Sequence, residues 1–243
     1  MNKYIILYKH FCSVIAVAFL LFLSSKTLSA QPVEGRKYAD IYLERYAEFE
    51  KESPIVKSDI VFLGNSLTQG GKWSEYFPKT STKLSKKGGA IRNRGIIGDD
   101  AQGIYDRLNQ ILPGKPSKIF LLVGVNDISH HISGDSIKIL VERVVERIRR
   151  ESPKSKLYLQ SLLPYNAHKS IYKNMKGKTD VVREVNVKLE EIAKEYKIKF
   201  IELYNYFTEP NSFELKPELT RDGLHINADG YAIWQEQIEK YVK

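Results

Sequence analysis

Short apolar runs alternate with longer amphipathic segments along most of the chain. Residues 59–63 (Asp59-Ile60-Val61-Phe62-Leu63) read as a buried strand, as do 119–123, 157–163 and 200–203, and 90–94 reads as a further strand leading into Gly95. Between them lie stretches with helical spacing. The clearest covers 137–150, where Ile137, Leu140, Val141, Val144, Val145 and Ile148 form one apolar stripe behind a Gly134-Asp135-Ser136 cap. Further helices are predicted over 37–53 (ended by Pro54), 101–112 (stopped by Pro113-Gly114), 180–196 and 228–242, the last with Asn227 as its N-cap. A short helical piece is expected over 73–77. Residues 79–89, rich in Lys and Ser with a Gly pair, read as a loop, as do the polar segment 165–178 and the proline-bearing segment 208–221. Strands that alternate with helices predict a parallel sheet covered on both faces. The expected fold is a single-domain three-layer α/β/α sandwich with a five-stranded parallel sheet, of the flavodoxin-like kind.

Composition changes this picture mainly at the N-terminus. Lys3 and Lys9 precede an uncharged apolar core over 12–23, and the small residues Ser24, Ser25, Ser29 and Ala30 follow. That is a secretory signal pattern, too short for a typical span of ~20 residues, with cleavage expected after Ala30. The reading divides the chain into a signal peptide, 1–30, and one folded domain, 31–243, secreted or periplasmic, without stable membrane insertion once the signal is removed. The alternative is an uncleaved anchor. Cys12 is the one cysteine of the chain and would leave with the signal, so disulfides, thiolate zinc and a cysteine nucleophile are excluded from the remaining domain. Loss of Lys3, Lys9 and Lys26 lowers the formal charge from +9 to +6. A modest basic balance suits anionic surroundings or an acidic substrate, and no nucleic-acid-binding motif accompanies it.

The candidate chemistry collects at strand ends. Gly64-Asn65-Ser66-Leu67 follows the first strand, Gly98 the second and Asn126 the third. Asp222 and His225 lie in the loop before the last helix. A parallel sheet brings such points to one edge, where open α/β folds hold their ligands. Taken singly, each is ordinary turn chemistry.

Four segments, in order, resemble the SGNH or GDSL hydrolase family. They are Gly64-Asn65-Ser66-Leu67, Asn93-Arg94-Gly95-Ile96-Ile97-Gly98-Asp99, Gly124-Val125-Asn126-Asp127 and Asp222-Gly223-Leu224-His225. The match is nearest the platelet-activating-factor-acetylhydrolase-like and sialate-acetylesterase-like branches, and it departs from the name-giving motif in having Asn65 for Asp. The resemblance implies a serine nucleophile, Ser66, with His225 as its base and Asp222 orienting the imidazole. It further implies an oxyanion hole made by the Ser66 and Gly98 backbone N–H groups and the Asn126 amide. No metal or cofactor is required.

The function implied is an exported esterase acting on short acyl groups, acetyl above all, carried by carbohydrate such as sialic acid. A lysophospholipase or thioesterase is the alternative within the class, and a non-catalytic flavodoxin-like sugar-binding protein the alternative outside it. Partners are a small-molecule or glycan ester and no nucleic acid. The oligomeric state is not determined by the sequence.

Neighbouring residues are read more plainly. Asp99 and Asp127 are expected to hold loops through backbone hydrogen bonds. His130 and His131 read as exposed loop histidines, since no carboxylate or cysteine spacing completes a metal site. Lys169, Lys173, Lys176 and Lys178 read as a solvated loop able to draw in an anion. Trp73 and Tyr76 read as core packing or as a stacking platform for a sugar or acyl group.

Overall fold

The computed structural model describes residues 37–243 apart from Pro210. The proposed signal peptide lies outside the described residues. Among those described, five parallel strands, β1 (Ile60–Gly64), β2 (Ile91–Gly95), β3 (Lys118–Leu122), β4 (Lys156–Gln160) and β5 (Lys199–Ile201), form one sheet in the order β2-β1-β3-β4-β5. The chain steps outward from β1 to β2 and then returns to lay β3 on the other side of β1. Strand order therefore reverses at the β1/β3 boundary, and a crevice opens there at the carboxyl edge.

The two-residue strand period decides which helices cover which face. Val61, Leu63, Ile119, Leu121, Leu157 and Leu159 face a core completed by α5 (Ala101–Asp106), α7 (Gly134–Glu151) and α8 (Thr179–Glu195). Ile60, Phe62, Phe120, Leu122 and Tyr158 face the opposite core, closed by α3 (Trp73–Tyr76) and α10 (Ala228–Val242). Trp73 is 1% exposed and lies flat on Phe62, ring centroids 4.1 Å apart, with its indole N–H on Thr68 O at 2.8 Å. It belongs to the core and is out of reach of a ligand. The N-terminal helix α1 (Asp40–Lys51) packs Tyr42, Tyr46 and Phe49 with Ile96.

Several boundaries differ from the sequence reading. The segment 79–89 is helical at its start, as α4 (Pro78–Ser85), with Pro78 in the first turn. None of its residues is buried, so it carries no apolar stripe from which a helix could be read. The helix expected over 101–112 ends at Asp106 and is followed by two short 3₁₀ turns, Leu108–Gln110 and Leu112–Gly114, with Arg107 buried at the junction. Helix α7 begins at Gly134, and Ser133 is its N-cap, with Oγ accepting from Ser136 N–H. Strand β4 stops at Gln160 and β5 at Ile201. Ser161 Oγ accepts from the N–H groups of Leu203 and Tyr204, which ends the ladder there.

Candidate active site

Strand β1 ends in a turn that lifts Ser66 out of the core. Asn65 caps the one-turn helix α2 (Ser66–Gln69), its Oδ1 accepting from Leu67 N–H at 3.0 Å. Asn65 is fully buried and Ser66 is half-buried. Gly64 is needed for close packing: a Cβ there would meet Thr68 Oγ1 at 2.2 Å and Leu122 O at 2.5 Å.

The loops that follow the next two strands each hold a glycine with positive φ. Gly98 has φ +77°, and nothing lies within 4 Å of where a Cβ would be. Its role is conformational rather than one of clearance. Gly124 has φ +129° and precedes α6 (Val125–Ser129), which carries Asn126. The Asn126 amide donates one N–H to Asp99 O at 2.7 Å, joining the loops that follow β2 and β3.

The turn before α10 supplies the remaining groups. Asp222 Oδ1 accepts from the N–H groups of Leu224 and His225, at 3.0 and 2.8 Å. Thr220 Oγ1 accepts from Gly223 N–H and donates to His225 O. Gly223 has φ +82°, and a Cβ there would press on Ser170 and on Asn166 O. Held this way, Asp222 Oδ2 is 2.8 Å from His225 Nδ1, and His225 Nε2 is 2.9 Å from Ser66 Oγ. Three groups that span 159 positions of sequence thus form one hydrogen-bonded chain.

Burial pushes the Asp222 carboxyl up, but hydrogen bonds from Leu224 N–H, the His225 ring and His225 N–H, with the imidazole's charge, outweigh it and hold the carboxyl below its ordinary value. An ionised Asp222 keeps the Nδ1 proton in place and leaves Nε2 as an acceptor facing Ser66 Oγ. A hydroxyl so placed can pass its proton to the ring as it attacks an electrophile.

Ser66, Gly98, Asn126 and His225 line a common cleft of about 400 Å³, whose walls include Ile97, Ile171, Lys173 and Met175. A second cavity of about 440 Å³ lies between α8 and the β5 end, away from these groups. Its Ser161 and Asn186 side chains are bonded to backbone.

The sequence reading missed two residues. Tyr172, in the loop after β4, places its hydroxyl 3.1 Å from both Asp222 Oδ2 and His225 Nδ1. Arg107 is fully buried, with Nε donating to Asp99 Oδ2 at 2.8 Å and Nη2 to Gly64 O at 3.0 Å. Asp99 is therefore the ion-pair partner of Arg107. Asp127 does bond backbone, accepting from Ala101 N–H. Tyr172 lies in the polar segment 165–178, and Arg107 within the helix predicted over 101–112, and neither position carries a sequence signal for its role. His130 and His131 are exposed, with His130 Nδ1 3.7 Å from Asp100 Oδ2. Among the described residues, no group of three or more His, Cys, Asp or Glu side chains is placed to hold a metal ion.

A five-stranded parallel sheet bearing these groups at its carboxyl edge is an α/β fold of the SGNH hydrolase type. The chain belongs to the GDSL-like lipase/acylhydrolase family, a family of carboxylic ester hydrolases, whose model matches residues 62–233. A curated relative, an N-acylneuraminate cytidylyltransferase of Escherichia coli O18:K1:H7, is 24% identical over 223 residues; the match covers 89% of this chain and 48% of that protein. The chain thus spans about half the length of the curated relative it matches. Among solved structures, a Streptococcus pneumonia protein bearing the working description platelet activating factor is 25% identical. It superposes with a TM-score of 0.69 over 84% of this chain and 91% of its own. An acetyl xylan esterase, 21% identical, superposes with a TM-score of 0.61 over 76% of this chain and 100% of its own.

Proposed function

We propose that this protein is an exported serine esterase that removes short acyl groups, principally O-acetyl, from carbohydrate such as sialic acid. The observation that carries the reading is the continuous hydrogen-bonded chain from Ser66 Oγ through His225 to Asp222 at the cleft. Ser66 Oγ attacks the ester carbonyl as its proton passes to His225 Nε2. The charge that builds on the carbonyl oxygen meets the N–H groups of Ser66 and Gly98 and the Asn126 amide. Collapse breaks the ester C–O bond, and the alcohol leaves with the proton from His225. Water, its proton taken by the same ring, then attacks the acyl carbonyl; the bond to Ser66 Oγ breaks, the ring returns the proton to that oxygen, and the acid leaves.

Support for an acidic sugar comes from two sources. The curated relative is named for N-acylneuraminate, and the exposed Lys173 stands in the cleft wall, where its ammonium can meet a carboxylate. The acetyl xylan esterase of the same fold is a neighbour by architecture, and its name agrees with an acetylated carbohydrate. Export rests on the leader pattern over 1–30. N-terminal sequencing of protein recovered from outside the cytoplasm tests it, with Gln31 as the expected first residue. No helix among the described residues is long and apolar enough to cross a membrane.

The decisive experiment is fluorophosphonate labelling together with p-nitrophenyl acetate hydrolysis. Labelling is expected at Ser66 and lost in Ser66→Ala. Ser66→Ala and His225→Ala should each cost nearly as much as the double variant, since the two act as a unit. Additive losses would overturn the mechanism. Release of acetate from acetylated sialic acids, compared with acetylated xylan fragments, lysophospholipids and thioesters, decides the substrate.

A further inference from the structure

The loop after β4 does more than wall the cleft. Its backbone is joined to the turn that holds Asp222: Asn166 N–H donates to Gly223 O at 2.7 Å, and Ile171 N–H to Asp222 O at 3.3 Å. Ser170 lies against Gly223 closely enough that no side chain fits between them. Ser170 Oγ accepts from Tyr172 N–H, which fixes the start of the cleft-facing segment. From this support Tyr172 reaches the carboxylate–imidazole pair. Its hydroxyl donates to Asp222 Oδ2, the oxygen that also serves His225 Nδ1, and its ring stands edge-on to the imidazole with centroids 5.7 Å apart at 68°.

We propose that Tyr172 is a positioning residue for the imidazole: by sharing Asp222 Oδ2 with the His225 ring, its hydroxyl fixes the pair facing Ser66 and limits how much carboxylate charge the ring receives. The inference rests on the serine esterase reading. The groups that face the imidazole are Asp222 from its own turn, Ser66 from α2 and Tyr172 from the cleft loop; Lys173 lines the same cleft. Burial and then the Asp222 charge raise the Tyr172 hydroxyl above its ordinary value, so it stays protonated and donates. A carboxylate oxygen with two donors stabilises imidazolium less than one with a single donor. Tyr172 thereby helps hold the imidazole with Nε2 facing Ser66 Oγ at 2.9 Å. The same contacts tie the wall that meets substrate to the group that moves the proton, so a ligand that shifts the loop also shifts the base.

The test compares wild type, Tyr172→Phe and Tyr172→Leu. In Tyr172→Phe, kcat is expected to fall roughly 10- to 100-fold with KM little changed, the worth of one hydrogen bond to a charged carboxylate. The acid limb of the kcat/KM profile and the His225 ring signals followed by NMR should both differ from wild type, which loss of a mere wall contact would not produce. Tyr172→Leu, which also removes the ring, should lose more kcat. If Tyr172→Phe matches wild type in profile and ring titration, or only KM rises, Tyr172 is a wall residue and the proposal is overturned. Ser66→Ala separates this from failure of the underlying reading. If it keeps wild-type hydrolysis, the serine mechanism itself is wrong, whereas an inactive Ser66→Ala beside an unaltered Tyr172→Phe removes Tyr172 alone.

Discussion

Arg107 and Asp99 form an ion pair at 2.8 Å in the interior, with side-chain exposures of 0% and 1%. The same guanidinium donates to Gly64 O, at the end of β1, and the Asp99 carbonyl receives the Asn126 amide. The pair therefore ties together the ends of β1, β2 and β3, the three segments that carry Ser66, Gly98 and Asn126. Removing one partner leaves an uncompensated buried charge. Arg107→Met is expected to destabilise the fold by ~3–5 kcal/mol, measured by urea denaturation, and to lower kcat in the protein that remains folded. Arg107→Met combined with Asp99→Asn should recover part of the loss. A single variant as stable as wild type would show that the pair does not hold these loops.

Asn126 has two amide protons, and one is already engaged with Asp99 O. The other is the expected oxyanion donor. Asn126→Ala should lower kcat on p-nitrophenyl acetate by ~10²–10³, with a much smaller effect on KM, because the missing interaction belongs to the transition state. A loss confined to KM would assign Asn126 to ground-state binding instead.

Asp222 gives a pH dependence of known sign. Its folded carboxyl is held below the ordinary value, despite burial, by its N–H and imidazole donors. Its contribution to stability is thus fully present above the unfolded value of about 3.9 and is lost as pH falls through the depressed folded value. Asp222→Asn should flatten the acid side of the stability profile in thermal melts between about pH 5 and pH 2. The same change should lower kcat by up to ~10⁴ at neutral pH, by removing the partner that fixes the imidazole tautomer.

Gly64, which ends β1, and Gly98, in the loop after β2, should respond differently to alanine. Gly98→Ala meets no atom within 4 Å but must hold φ +77°, a penalty of roughly 1–2 kcal/mol. Activity should fall with the altered loop. In Gly64→Ala the Cβ would meet Leu122 O at 2.5 Å, a backbone atom of the neighbouring strand that cannot move without disturbing the sheet. The second variant should be the less stable of the two by calorimetry.

Local pattern determined much of this protein. The apolar runs placed β1, β3 and β4 to within a few residues, since a strand buried on both faces must be apolar throughout, whereas the edge strand β2 carries Arg92, Asn93 and Arg94. The helical stripe of α7 and the Asn227 cap of α10 are likewise properties of adjacent residues. Ser66, Asp222 and His225 were readable through the four ordered segments that resemble the family, since each taken singly is ordinary turn chemistry. Helix α4 was not readable, because a helix that buries none of its residues needs no apolar periodicity. Tyr172 and Arg107 were not readable for a different reason. Whether a tyrosine or an arginine turns to solvent or inward depends on which distant group can satisfy it. Tyr172 finds Asp222, fifty positions on, and Arg107 finds Gly64 O, forty-three positions back, only after the sheet and its loops have assembled. Strand and turn identity thus came from neighbours along the chain, while the partners of buried polar groups came from neighbours in space.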